Sequence, residues 1–411
     1  MQRDQDAGRA ALRRAPAERQ FGPTVGGFIE RRSRRGWRFA GSPRGAGGFC
    51  CYRGEFRLAI YLGLASVAHA WDWHPGDGCR WAELPVPKTG QTGFTLLPPE
   101  RTGICFTNRL SEEAAANNRI LQNGSGVALG DVDGDGRCDL FFCSLEGTNA
   151  LYRNLGNWRF EDITVASGLA VPIPQATGAV FADVDGDGDL DLLVNSIGGG
   201  TRLFLNDGHG HFTEAPEAGL RREFGATSMA LADIDGDGTL DLYVTTYRTT
   251  SYKDRPPGVK VQARLVDGRM VVTPADRFIP LFRKGGAIMV GEKGEPDFLY
   301  RNDGQGHFSP VSWTDGTFRD EAGQPLQAPP KEWGLSVMFR DLNGDGAPDI
   351  YVCNDFLNSR DEVWINDGTG RFRAIDRQAL RNMSMSSMSV DFADINRDGH
   401  DDFFVADMLS R

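Results

Sequence analysis

Asp131-Val-Asp-Gly-Asp-Gly-Arg-Cys-Asp139 decides the reading of this chain, because the same nonapeptide, D-x-[DN]-x-D-G-x-x-D, returns at 183–191, 233–241, 341–349 and 394–402. Oxygen ligands at positions 1, 3, 5 and 9 around a glycine at position 6 are what a loop offers a hard divalent cation, Ca2+ above all. In the first copy Asp131, Asp133, Asp135 and Asp139 supply carboxylates, and Arg137 at position 7 supplies a backbone carbonyl. The second offers Asp183, Asp185, Asp187 and Asp191 with the carbonyl of Asp189, and the third Asp233, Asp235, Asp237 and Asp241 with that of Thr239. The fourth offers Asp341, Asn343, Asp345 and Asp349 with Ala347, and the fifth Asp394, Asn396, Asp398 and Asp402 with His400. Up to five Ca2+ ions are thus expected. Carboxylates a few ångströms apart repel by about 1–4 kcal/mol per pair, so the loops should be loose without metal. The fifth is the least regular, because Arg397 stands where the other four have a position-4 glycine.

An EF-hand would need a bidentate Glu at position 12 and flanking helices. Position 12 is Phe142, Val194, Val244, Val352 or Val405, each inside an apolar run, so that fold is excluded. Every loop follows an alternating stretch such as Gly178-Ala-Val-Phe-Ala and precedes a continuous one such as Leu192-Leu-Val, which makes the local unit strand, loop, strand. A second element recurs downstream, as Leu203-Phe-Leu-Asn-Asp-Gly-His-Gly-His-Phe212, with counterparts ending at Phe160, Phe308 and Phe372. Its Asn-Asp-Gly or Asn-x-Gly marks a hairpin turn. Four strands per repeat of about 50 residues predict an all-β chain built of four-stranded propeller blades.

The loops start 52, 50, 108 and 53 residues apart, and loop-to-hairpin distances of 29, 29, 75 and 31 place the excess inside the third blade. Residues 249–296 therefore form an insertion, read as a solvated, basic excursion with a small hairpin at 264–272. About five blades are visible, fewer than the seven a closed propeller of this kind would take, so the propeller is expected to be incomplete and the chain a fragment. Residues 94–106 are a candidate closing outer strand, and Asn354-Asp355 a surface loop.

Charge divides the chain: residues 1–57 hold 13 Arg and 5 acids, a balance of +8, which leaves −19 for the rest. An acidic body excludes nucleic acid as a partner. Residues 1–57 read as a disordered Arg-rich leader, 58–70 as a signal-peptide apolar stretch ending in Ala68-His69-Ala70, 71–100 as a linker and 101–411 as the propeller. The expected location is secreted, periplasmic or cell surface, with membrane contact only through the export signal. Of seven cysteines, Cys79 and Cys105 are the first candidates for a disulfide, and Cys143 and Cys353 read as small core residues.

The acidic loop between two strands resembles the FG-GAP/VCBS repeat of integrin α-subunit propellers. The fuller pattern, with N-D-G-x-G-x-F and Glu295-Pro-Asp-Phe-Leu-Tyr-Arg-Asn302, is similar to the cartilage acidic protein family and its bacterial ASPIC/UnbV-type relatives. The resemblance implies Ca2+ held between the first two strands of each blade, by the Asp and Asn positions named above. H-E-x-x-H, G-x-S-x-G and phosphate-binding loops are absent, and His209, His211 and His307 fall in hairpin turns, so the chain reads as a non-enzyme. The resulting expectation is an exported, calcium-binding module for binding or adhesion, with a protein or polysaccharide ligand at the propeller rim. A propeller lectin and a polysaccharide-degrading enzyme on the same scaffold are the two alternatives.

Overall fold

The computed structural model describes residues 12–13, 74–76, 79–81, 93–220, 223–282, 288–356, 359–376, 379–380, 383–384 and 386–408. The chain divides into two units, Met1–Thr92 with Asn396–Gly399, and Gly93–Ile395 with His400–Arg411. In the first, His74–Gly76 and Cys79–Trp81 form an antiparallel hairpin whose second strand also pairs with Leu12–Arg13. Short strands thus occur where the sequence reads as leader and linker, while residues 58–70, expected to be a signal-peptide stretch, lie outside the described residues. Among the described residues no helix is long and apolar enough to cross a membrane.

The second unit is all-β and built of propeller blades. Blade 1 orders Val127–Gly130, Asp139–Phe142, Ala150–Gly156 and Arg159–Asp162, every pair antiparallel. Blade 2 repeats this with Ala176–Ala182, Asp191–Ser196, Gly200–Asn206 and Phe212–Glu214. Blade 3 joins Ala226–Ala232 and Asp241–Thr246 to Phe298–Asn302 and Phe308–Pro310, pairing directly across the insertion. Blade 4 comprises Gly334–Arg340, Asp349–Asn354, Glu362–Asn366 and Phe372–Ala374, and adds Phe318–Arg319, which runs parallel to its outer strand. Ser387–Ala393 and Asp402–Asp407 pair as the first two strands of blade 5.

The second strands of blades 2–4 are buried along their whole length because neighbouring blades cover both their faces. Leu192 and Val194 pack with Phe141 and Leu151 of blade 1, whereas Leu193 packs with Leu242 and Val244 of blade 3, all at 0–2% exposure. Each such side chain stabilises the fold by about 1.5–3 kcal/mol. First strands of successive blades run side by side. There a hydroxyl at the start of each strand donates to the next blade: Ser125 to the Ala176 carbonyl, Thr177 to Ala226 and Thr227 to Gly334, each at 2.7 Å.

Ser111 caps the helix Glu112–Asn117 by accepting the Ala114 N–H, and a 3-10 turn, Arg119–Asn123, follows. Its Ile120 and Leu121 pack with Leu145, Ile197, Tyr247 and Trp333, residues that flank strands of four different blades. The proposed outer strand at 94–106 is not formed. Pro98 and Pro99 remove ladder donors and instead open a short helix, Pro99–Thr102, while Phe106 stacks on Phe142 at 4.9 Å.

The insertion carries the expected hairpin, Gln262–Val266 with Arg269–Thr273, turning through Asp267-Gly268 at positive φ. It also carries a second, Phe278–Phe282 with Ile288–Glu292. Its base is not a solvated excursion. The buried Glu292 carboxylate accepts from Ser251 Oγ (3.0 Å), the Tyr252 N–H (3.2 Å) and Arg277 Nε (2.7 Å), and the Trp333 indole donates to its carbonyl. Asn354 and Asp355 are likewise buried rather than on the surface, because Tyr247 O–H donates to Asp355 at 2.8 Å and draws the segment inward. Cys105 is a free thiol, so the Cys79 pairing does not form; its N–H donates to Tyr152 Oη. Cys143 and Cys353 are fully buried, which pushes each thiol up to about 12.

Candidate metal centre

The nonapeptides fold alike because their first carboxylate organises its own loop. Asp183 accepts the N–H of Gly186 (2.8 Å) and Gly188 (3.1 Å), Asp233 those of Gly236 and Gly238, and Asp341 those of Gly344 and Gly346. Asp131 accepts from Asp135 and Gly136. Position 4 sits at φ +70 to +80° in loops 1–4, which explains its glycine; Arg397 adopts φ +60° there, a costly conformation for a side chain with a Cβ. Position-7 residues are placed by their own N–H: Arg137, Asp189, Thr239 and Ala347 each donate to the position-5 carboxylate, at 2.8–2.9 Å.

Position 9 is the buried end of the loop. Asp139, Asp191, Asp241 and Asp349 are 0–1% exposed, and each accepts two backbone N–H groups. One comes from position 2 of the same loop (Val132, Val184, Ile234, Leu342), the other from the Asn that begins the third-to-fourth-strand hairpin (Asn154, Asn206, Asn302, Asn366), at 2.7–3.3 Å. Burial is the main influence on these acids and raises all four, Asp191, Asp241 and Asp349 to about 6, against the lowering effect of the two N–H donors.

Three of those asparagines also hold adjacent blades together. Asn206 Nδ2 donates to the Val132 carbonyl of loop 1 (2.9 Å), Asn302 Nδ2 to Val184 of loop 2 (2.7 Å) and Asn366 Nδ2 to Ile234 of loop 3 (2.8 Å). Loops 1, 2 and 3 are therefore each fixed by the blade that follows. Sequence reasoning saw these asparagines only as turn residues; the signal that could have found them is their recurrence at the end of an apolar strand, where a side-chain amide withdrawn from water needs a protein partner.

Convergence of the carboxylates is partial. One oxygen from each of Asp131, Asp133 and Asp139 lies within 4.8 Å of the others, as do those of Asp183, Asp185 and Asp191, and of Asp233, Asp235 and Asp237. Asp135 and Asp187 stand outside their trios, and Asp135 is also paired with the Arg137 guanidinium. Asp241 stands outside the third. In loop 4 the Asn343 amide donates to Asp345 at 2.8 Å. Among the described residues loop 5 brings no such trio together.

Two arginines absent from the sequence reading complete the site. Arg153 pairs with Asp133 Oδ2 at 2.8 Å and Arg301 with Asp235 Oδ2, each from the residue before the hairpin Asn. The other oxygens, Asp133 Oδ1 and Asp235 Oδ1, are buried without a hydrogen-bond partner. Such an atom costs about 1–3 kcal/mol unless something satisfies it. An all-oxygen, mainly carboxylate donor set with unsatisfied buried oxygens suits a hard cation of Ca2+ type and offers nothing to a soft one.

A family model described as FG-GAP-like repeat matches residues 131–194, 183–244, 288–352 and 341–405, more than half of the chain. Each match ends in the second strand of a blade. Cartilage acidic protein 1 of Homo sapiens is 34% identical over 120 residues, 28% of this chain and 18% of that protein. Its Xenopus tropicalis counterpart is 29% identical over 103 residues, 25% of this chain and 16% of its own. The matched region thus spans less than a fifth of these relatives. The solved V. cholerae biofilm matrix protein Bap1 aligns over 60% of this chain and 38% of its own, at 16% identity and a TM-score of 0.27.

Proposed function

The chain belongs to the FG-GAP-like repeat family, and on that premise we propose that it is an exported, calcium-stabilised propeller module for binding or adhesion, which takes a protein or polysaccharide ligand at its rim. The observation that carries the calcium part is the set of acidic trios in loops 1–3, two of them holding a buried oxygen that no protein group satisfies. The residues that would hold the ion are positions 1, 3 and 9 in loops 1 and 2, and 1, 3 and 5 in loop 3. Bound there, a divalent cation supplies positive charge that offsets carboxylate repulsion. The chain does the rest. Position-1 carboxylates shape the turn, position-9 carboxylates tie it to the third strand, and the hairpin asparagines carry its position to the next blade.

Blade edges fixed in this way hold the rim loops, including the inserted hairpins, in one arrangement for a partner. Calorimetric titration of the chelator-stripped protein with Ca2+, paired with melting curves in Ca2+ and in EGTA, tests the reading. Heat of binding and a melting temperature several degrees higher in Ca2+ are expected. No heat and superimposable melts would sink it.

A further inference from the structure

Arg153 and Arg301 are unevenly distributed. Blades 1 and 3 have an arginine before the hairpin asparagine, whereas blades 2 and 4 have Leu205 and Ile365. The loops differ to match. In loops 2 and 4 the position-5 N–H donates to the position-3 side chain, Asp187 to Asp185 at 3.2 Å and Asp345 to Asn343 at 2.9 Å, the latter shared with Asp341 of position 1 at 3.2 Å. In loops 1 and 3 it leaves position 3 and donates to position 1, Asp135 to Asp131 and Asp237 to Asp233, both at 3.1 Å. The guanidinium holds the position-3 carboxylate by one oxygen, away from that N–H, and leaves the second oxygen buried and unpartnered.

Arg301 reaches further. Its Nη2 donates to the Thr369 carbonyl at 3.2 Å and to Gly370 at 3.3 Å, both in the hairpin of blade 4. Arginine is suited to this because its planar fork makes several hydrogen bonds at once and stays charged at any working pH.

From these contacts we infer that Arg153 and Arg301 are positioning residues for cation binding at loops 1 and 3, and that Arg301 also couples the occupancy of loop 3 to the junction of blades 3 and 4. This rests on the calcium reading proposed above. Arg301 donates to its carboxylate as a ligand's outer hydrogen-bond partner does, while Arg153 holds its own through an ion pair at 2.8 Å; losing an outer partner weakens metal binding by about 10–100-fold.

The test is Ca2+ calorimetry and Tb3+ luminescence on the whole chain, comparing wild type with Arg301→Gln, Arg301→Lys, Arg153→Gln and Asp233→Asn. Asp233→Asn should remove one binding event, which identifies the loop 3 signal. Arg301→Gln should weaken that event about tenfold with the others unchanged, and Arg301→Lys should recover part of the loss. Arg153→Gln should act in the same way on a different event, so a misfolded Arg301 variant leaves the inference open to refutation. In wild type, a Ca2+ addition should also raise the melting temperature more than it does in Arg301→Gln. Binding in wild type that Arg301→Gln and Arg153→Gln leave equal or make tighter overturns the inference, because the arginines would then be bystanders or competitors. No binding in wild type, or no event lost in Asp233→Asn, instead overturns the calcium reading of loop 3 itself.

Discussion

Replacing Asn302 by alanine should be among the most damaging polar substitutions in the chain. Its amide donates to the Val184 carbonyl at 2.7 Å and to Leu240 at 3.2 Å, and its Oδ1 accepts the Gly304 N–H at 3.2 Å. Three hydrogen bonds of about 1 kcal/mol each are lost, and the Val184 carbonyl, in a residue 1% exposed, is left without its donor at a further cost of about 1–3 kcal/mol. Allowing for partial relaxation, the loss should be about 3–5 kcal/mol. Asn154 supplies the control. It holds the same place in blade 1, but its amide donates to Cys138 of its own loop at 2.8 Å, in partly exposed surroundings, so Asn154→Ala should cost about 1–2 kcal/mol. Urea unfolding of both variants in saturating Ca2+, followed by tryptophan fluorescence, measures the difference. An Asn302→Ala loss no larger than that of Asn154→Ala would refute the claim that these asparagines join blades.

Other consequences follow from the same geometry. Gly219 lies at φ +79° with the Phe308 carbonyl 2.2 Å from where a Cβ would be, so Gly219→Ala should destabilise by about 2–4 kcal/mol in the same urea assay. Asp191→Asn presents an amide to two N–H donors and should lower stability even in EGTA, whereas Asp185→Asn should lower it only in Ca2+; equal behaviour of the two in EGTA would contradict the division of labour between positions 9 and 3. Asp297, which accepts from Tyr243 and Thr246, is pushed by burial from 3.8 to about 7, an interval equivalent to about 4 kcal/mol. A raised folded value means that its contribution is fully present below about 3.8 and is lost as pH rises through about 7. Asp297→Asn should therefore flatten the dependence of melting temperature on pH between about 4 and 7 relative to wild type, and an unchanged slope would count against it.

The blades were legible because each nonapeptide combines two local demands, glycine at positive φ and apolar alternation on either side, that need no distant partner to be recognised. The insertion was legible as a defect in spacing, and the hairpin at Asp267-Gly268 by its turn residues. What the sequence hid depends on distant pairing. Phe318–Arg319 is too short to carry a period of its own and becomes a strand only beside Phe372. The plug of Ile120 and Leu121 needs apolar side chains from four blades at once. At the acidic loops the carboxylate-bearing positions could be read from residue type, but not the contacts that Arg153 and Arg301 make with them, since an arginine in an exposed strand ordinarily signifies a solvated face.

The direction of the asparagine contacts, each reaching back to the loop of the blade before it, bears on how such a protein could be cut and recombined. A segment of one sequence repeat, exchanged at the borders where the nonapeptides begin, would separate a loop from the hairpin that completes it. A graft that keeps the two together has to run from one loop through the hairpin of the next blade. That overlapping piece, longer than the repeat itself, is the smallest part of the architecture that carries its own instructions for being neighboured.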